Sequence, residues 1–153
     1  MSRKIIGLCM VLLAVAMLSS CERLEKRRQR RYAIYCHNNL KAVLLAMTVW
    51  ATEHDDTLPE VHGWEKKLLD DNLLDATTLV CFGSKMHYKY LGNGQKLSDY
   101  KDVKDKTMLF ICESMHLGKT NAVFLDGHSE ALDSNVVKIA VSKAGASGLP
   151  RID

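Results

Sequence analysis

Between Glu22 and His54 the chain contains neither proline nor glycine, and its apolar residues return every three or four positions. Ala33, Cys36, Leu40, Val43, Met47 and Trp50 make one stripe, which Leu44 and Ala51 widen. That period belongs to an α-helix with a single buried face. Asn38, Lys41, Glu53 and a basic cluster fall mostly off the stripe. The first turns are nearly all polar, so the helix is expected to start as a solvated stalk and to become core-packed near Ala33. At about 1.5 Å per residue it would run roughly 45–50 Å, long for a small domain. A rod of this kind constrains everything after it, because the remaining chain must supply a layer that covers one side. The helix is expected to stop at Asp55-Asp56-Thr57-Leu58-Pro59, where Pro59 biases Leu58 away from helical dihedrals.

The covering layer reads as β-structure. A short second helix is expected from Trp64 to Asn72, with Trp64, Leu68 and Leu69 on one face and Lys66, Lys67 and Asp70 outside. Beyond it the period shortens to two, or to short apolar runs parted by turn residues. Strands are expected near Thr78–Phe82, His87–Leu91, Thr107–Cys112, Asn121–Leu125 and His128–Leu132. Gly92-Asn93-Gly94 and Asp126-Gly127 supply turns between them. An Asp-Gly pair suits a two-residue type I′ hairpin, whose central residues both need positive φ. The class is therefore α+β, with residues 33–142 as one domain. Residues 143–153, rich in Gly, Ser and Ala, are expected to be a flexible tail.

Ahead of the rod lies a leader. Arg3 and Lys4 precede an apolar stretch, Ile5 to Leu18, that runs into Leu18-Ser19-Ser20-Cys21. Basic, apolar and small-residue regions in that order mark a secretory signal. The cysteine resembles that of a bacterial lipobox, which implies that residues 1–20 are removed and that Cys21 becomes a lipidated first residue. The alternative is an uncleaved anchor, but the stretch falls short of the roughly 20 residues that span a bilayer. An exported, membrane-tethered chain faces the periplasm or exterior, an oxidising space. The net charge of +3 is concentrated in residues 21–32, at Arg23, Lys26, Arg27, Arg28, Arg30 and Arg31. Beside a lipid anchor these meet anionic head groups most simply, at about 1 kcal/mol per residue. Nucleic acid is the other partner for such a run, and export argues against it.

Four elements in order resemble one family. They are the Arg-rich helix, Cys36-His37-Asn38-Asn39-Leu40-Lys41, the stretch Trp50 to Pro59, and Tyr88-Lys89-Tyr90-Leu91-Gly92. To these is added His116, which nine residues separate from Asp126-Gly127. Together they resemble the prepilin-type H-x9-DG proteins, relatives of type IV pilins and type II secretion pseudopilins. The resemblance covers about Arg27 to Leu132 and implies a long helix laid on a small antiparallel sheet. It also implies a non-enzymatic structural or interaction role at the cell envelope, with pilin-like or secretion-system subunits as partners. Alternatives are a stand-alone lipoprotein binding module with a non-polymerising head and, third, a Cys–His hydrolase. The front departs from the family: Gly7 is followed by Leu8, and Leu12 stands where a glutamate would be, so a lipobox replaces the prepilin leader.

The resemblance also implies a Cys36–Cys81 disulfide that ties helix to sheet, closing a loop of about 45 residues at roughly 4 kcal/mol in the entropic account. Two buried free thiols are the alternative. Cys112, His116 and Asp126 invite a nucleophile–base–orienter reading, yet no oxyanion site accompanies them, and no catalytic residue is expected. Cys81, His87, Cys112 and His116 are zinc-type ligands whose C-x5-H and C-x3-H spacings fit no compact finger, so no metal ligand is assigned. Glu53, Asp55, Asp56 and Glu60 could collect calcium, a cofactor the resemblance raises, but without EF-hand spacing. The H-x9-DG motif is expected to be structural. Gly127 permits the turn and Asp126 caps amides in it. His116 belongs to the opposite end of the hairpin.

Overall fold

The computed structural model describes the backbone of residues 3–144 and 148–152, and the side chains of residues 20–144 and 148–152. The side chains of the expected leader, apart from Ser20, and residues 145–147 and 153 of the expected tail lie outside the described residues. The rod forms as one element: α1 runs without interruption from Arg3 to Glu53. Its stalk from Cys21 to Arg31 is exposed but for Gln29, and Cys21 presents an exposed thiol. From Cys36 onward one side of α1 is covered. Cys36, Leu40, Val43, Met47 and Ala51 are all fully buried. The end comes where sequence places it, by an unusual route. Asp55 and Asp56 adopt left-handed φ of 54° and 62°, positions that glycine more often fills. The Asp56 amide donates back to the Ala51 carbonyl at 2.9 Å.

Against α1 lies a four-stranded antiparallel meander in the order β1-β2-β3-β4. The strands are β1 (Lys89–Tyr90), β2 (Met108–His116), β3 (Lys119–Phe124) and β4 (Ser129–Leu132). A helix α2 spans Trp64–Asp70, and a further helix α3 spans Ser134–Ala144. The molecule is thus an α+β fold in which a long N-terminal helix packs on a small antiparallel sheet. The sheet is covered on both faces. Its α1 side holds the larger core, where Trp64, Tyr90 and Phe110 pack ring to ring at 5.1–5.4 Å. Its other side packs Met108, Ile111, Ala122 and Phe124 against Val137 and Ala140 of α3. Burial on both faces explains why Met108 to Cys112 is apolar without alternation.

Several expectations are corrected here. The strand expected at Thr78–Phe82 is a 3-10 turn, Ala76–Leu79, followed by a single bridge between Val80 and His87. The region beyond Leu132 holds α3, whose valines and isoleucine disguise it as extended chain. Its start is set by Asp133, whose carboxylate accepts from the Asn135 amide at 2.8 Å, and Val137, Ala140 and Val141 then recur at helical spacing. The described part of the expected flexible tail is held in place. Leu149 is buried, Pro150 accepts from the Met108 amide, and Ile152 donates to Lys106. Finally, the type I′ turn sits at Leu117-Gly118, with φ of 55° and 79° between the paired His116 and Lys119. At Asp126-Gly127 only Gly127 has positive φ, 94°. The loop there is a three-residue type, closed by Gly127 N–H to Phe124 O and Phe124 N–H to His128 O, both 3.0 Å.

Candidate functional site

Where α1 crosses the sheet, four potential ligands from three chain segments converge. Cys36 comes from the covered stripe of α1, Cys81 from the loop that follows the 3-10 turn, and Cys112 and His116 from β2. One ligand atom from each lies within 4.8 Å of every other, and all four residues are buried. His116 Nε2 is 3.2 Å from Cys81 Sγ and 3.6 Å from Cys112 Sγ.

The contact between Cys112 and His116 depends on an irregular strand. Residues four apart on a regular strand stand about 13 Å from each other, too far for their side chains to meet at one point. Here Ile111 pairs with Ala122 and Met115 with Thr120, so four steps along β2 face two along β3. The extra residues form a bulge that bends the strand and turns His116 inward. The loop bearing Cys81 is positioned just as specifically. Its Cys81 amide donates to Met86 O at 2.8 Å, Cys81 O accepts from Lys85, and Asn39 of α1 donates its side-chain amide to Val80 O. Gly83 in that loop lies against the Tyr32 ring and the His116 ring. A Cβ there would stand 3.0 Å from Tyr32 Cδ2 and 3.4 Å from His116 Cε1.

Polar groups around the cluster act unequally on its sulfurs. The Cys112 thiol donates toward Cys36 and holds it below its ordinary range, against the opposing effect of burial; the Asn121 and Tyr88 side chains act in the same direction. Cys112 itself is pushed up, by that same hydrogen bond and by burial. His116 is lowered by burial and secondarily by His37, both of which disfavour the protonated imidazole. Tyr88 Oη is buried without an oxygen or nitrogen partner, as is Asn121 Oδ1. The Asn121 amide donates to Ala33 O at 3.4 Å.

The expected Cys36–Cys81 bridge is not formed; Cys36, Cys81 and Cys112 are all free thiols. The β2 bulge has brought two further donors against that pair, which makes a four-member cluster of what the sequence presents as two. Spacing along the chain gives no sign of this ligand set, because C-x5-H and C-x3-H fit no compact finger. Cys36, the one ligand on the helix, lies 45 residues from Cys81, the next member of the set in sequence. His87 does not join the cluster: it faces Glu65 at 2.7 Å. Cys36 itself is a hint, since it falls on the covered stripe facing the sheet that carries Cys112 and His116.

The remaining candidates stand apart. Asp126 does not meet His116. It accepts from the His128 amide at 3.0 Å and faces the His128 ring at 2.6 Å, while that ring stacks on Phe124 at 4.1 Å. The acidic residues weighed for calcium do not gather into a ligand set among the described residues. Asp56 instead accepts from the Ser98 amide at 2.7 Å, pinning the end of α1 to the loop before β2. His37 shares a hydrogen bond with Ser129 of β4 at 2.9 Å. His37 and Asn39 thus dock α1 on opposite flanks of the cluster, a role for the Cys-His-Asn-Asn run that sequence did not disclose. No protein-family model, curated protein or solved structure matches the chain.

Proposed function

We propose that this protein is a non-enzymatic, exported subunit of the cell envelope, tethered through Cys21, with a pilin-like head. The observation that carries the reading is the unbroken α1, one side of which is sheathed by the sheet while its far end projects as a basic stalk. A solvated rod with one covered side is suited to holding a head at a distance from a surface. Arg23, Lys26, Arg27, Arg28, Arg30 and Arg31 line that projecting end, where anionic head groups would favour them. The uncovered side of α1 supports assembly. Ile34, Tyr35, Leu45 and Val49 are exposed and project within about 100° of one another at 3.6 residues per turn. Exposed apolar groups opposite the covered face, interrupted by Asn38, suit helix-to-helix packing of like subunits. Among the described residues no helix is long and apolar enough to cross a membrane.

The reading is tested by crosslinking the full chain in native membranes. Ladders that disappear when Leu45 and Val49 are both replaced by Glu support assembly through α1. A strictly monomeric chain would defeat it and favour a stand-alone binding module. That second reading has one observation behind it, a cavity of about 450 Å³ between α3 and the sheet, lined by residues such as Ile111, Met115, Thr120 and Val137. The anchor has its own test. Cys21→Ser that leaves processing and membrane retention unchanged dismisses lipidation.

A further inference from the structure

We propose that Cys36, Cys81, Cys112 and His116 form a closed tetrahedral site for a thiophilic divalent cation, with zinc as its occupant. The inference stands on the donor geometry and does not depend on how the chain is anchored or whether it assembles.

Three arguments carry it. The first is distance. Zinc bonds of about 2.3 Å to sulfur and about 2.0–2.1 Å to nitrogen, at tetrahedral angles, set sulfur–nitrogen separations near 3.6 Å and sulfur–sulfur separations near 3.8 Å. The His116 separations of 3.2 and 3.6 Å, and the 4.8 Å limit that contains all four atoms, need only small side-chain adjustments to match. The second is donor chemistry. Three thiols and a neutral imidazole, with no carboxylate among them, are a soft set that selects zinc over calcium or magnesium. Four protein ligands leave no open position, which marks a structural rather than a catalytic centre.

The third argument is the shell around the donors. Tyr88 is 3% exposed, and the partner its buried hydroxyl has is the Cys36 sulfur, with no oxygen or nitrogen beside it. With Asn121, it acts on Cys36, the ligand from the helix. A metal-bound thiolate there is an acceptor for it, and such outer donors are a regular feature of metal–thiolate sites. On loading, the three thiols release their protons to solvent and the sulfurs bind as thiolates, so occupancy falls as pH is lowered. The ion would clamp the rod, the Cys81 loop and β2 at a single point, the place where the expected disulfide would have acted.

The test uses the full-length chain in mild detergent, purified with reductant. Metal analysis is expected to find about one zinc per chain, and replacement by Co2+ to produce the sulfur-to-cobalt charge-transfer band and strong visible absorption of a tetrahedral thiolate site. Cys36, Cys81 and Cys112 should resist alkylation until a chelator is added. Cys112→Ser should abolish the charge-transfer spectrum of the complete site, and Tyr88→Phe should weaken zinc affinity by about 10–100-fold. The Co2+ spectrum of the unaltered chain decides the matter even if variants fail to fold. A helical chain that takes up Co2+ without a thiolate band overturns the proposal, as does recovery from cells of a chain already carrying a Cys36–Cys81 disulfide.

Discussion

Leu40→Ala measures how firmly the rod is held by its sheath. Leu40 is fully buried on α1, in the cluster that also contains Val43, Met47 and Phe110. Truncation removes about three carbon groups from the core, worth roughly 2.4 kcal/mol at about 0.8 kcal/mol each. Helix and sheet cannot collapse fully onto the gap, because His37 and Asn39 pin α1 to Ser129 and Val80 on either side. The residual cavity raises the expected loss to about 3–5 kcal/mol. That is a large share of the roughly 5–15 kcal/mol that holds a domain together. Leu45→Ala is the internal control, since Leu45 is 66% exposed on the opposite side of the same helix. Its expected effect lies within about 0.5 kcal/mol. Urea unfolding of the full chain in mild detergent, followed by the fluorescence of Trp50 and Trp64, reads both. Leu40→Ala should lower the midpoint by roughly 1–3 M, for a slope of about 1–3 kcal/mol per molar, with the slope unchanged. Equal losses from the two variants, or a Leu40→Ala loss below about 1 kcal/mol, would refute the packing of α1 on the sheet.

Three smaller perturbations probe the elements around the site. Leu117→Asn should raise stability by a few tenths to about 1 kcal/mol in the same urea assay, because Leu117 sits at φ 55° and Asn-Gly is a preferred type I′ pair. Gly127→Ala should lose about 1–2 kcal/mol by forcing a Cβ into φ 94°, with hydrogen exchange accelerated at Phe124 and His128. Gly83→Ala introduces a contact of 3.0 Å to the Tyr32 ring. Because the exposed Phe82 and Tyr35 rings share that aromatic group, a loss of about 1–3 kcal/mol is expected, together with faster alkylation of Cys81; unchanged thiol reactivity would show that Gly83 does not cover the cluster.

The sequence alone determined the rod, its covered stripe and the α+β class, because a 3.6-residue period sustained from Cys36 to Trp50 without Gly or Pro admits one regular structure. It also determined the three long strands to within a few residues, since apolar runs and turn residues are local signals. What only the tertiary structure decided was which distant groups meet. The bulge that turns His116 onto Cys112 is a two-strand property, visible only once β2 is paired with β3. Likewise α3 was hidden because its β-branched residues prefer extended chain when taken singly, and the second face of the sheet repaid the helical choice through burial of Val137 and Ala140. Most of all, nothing in the sequence adds Cys112 and His116 to the Cys36–Cys81 pair. Their convergence follows from docking the helix across the sheet, where long-range packing and not chain spacing sets the distances.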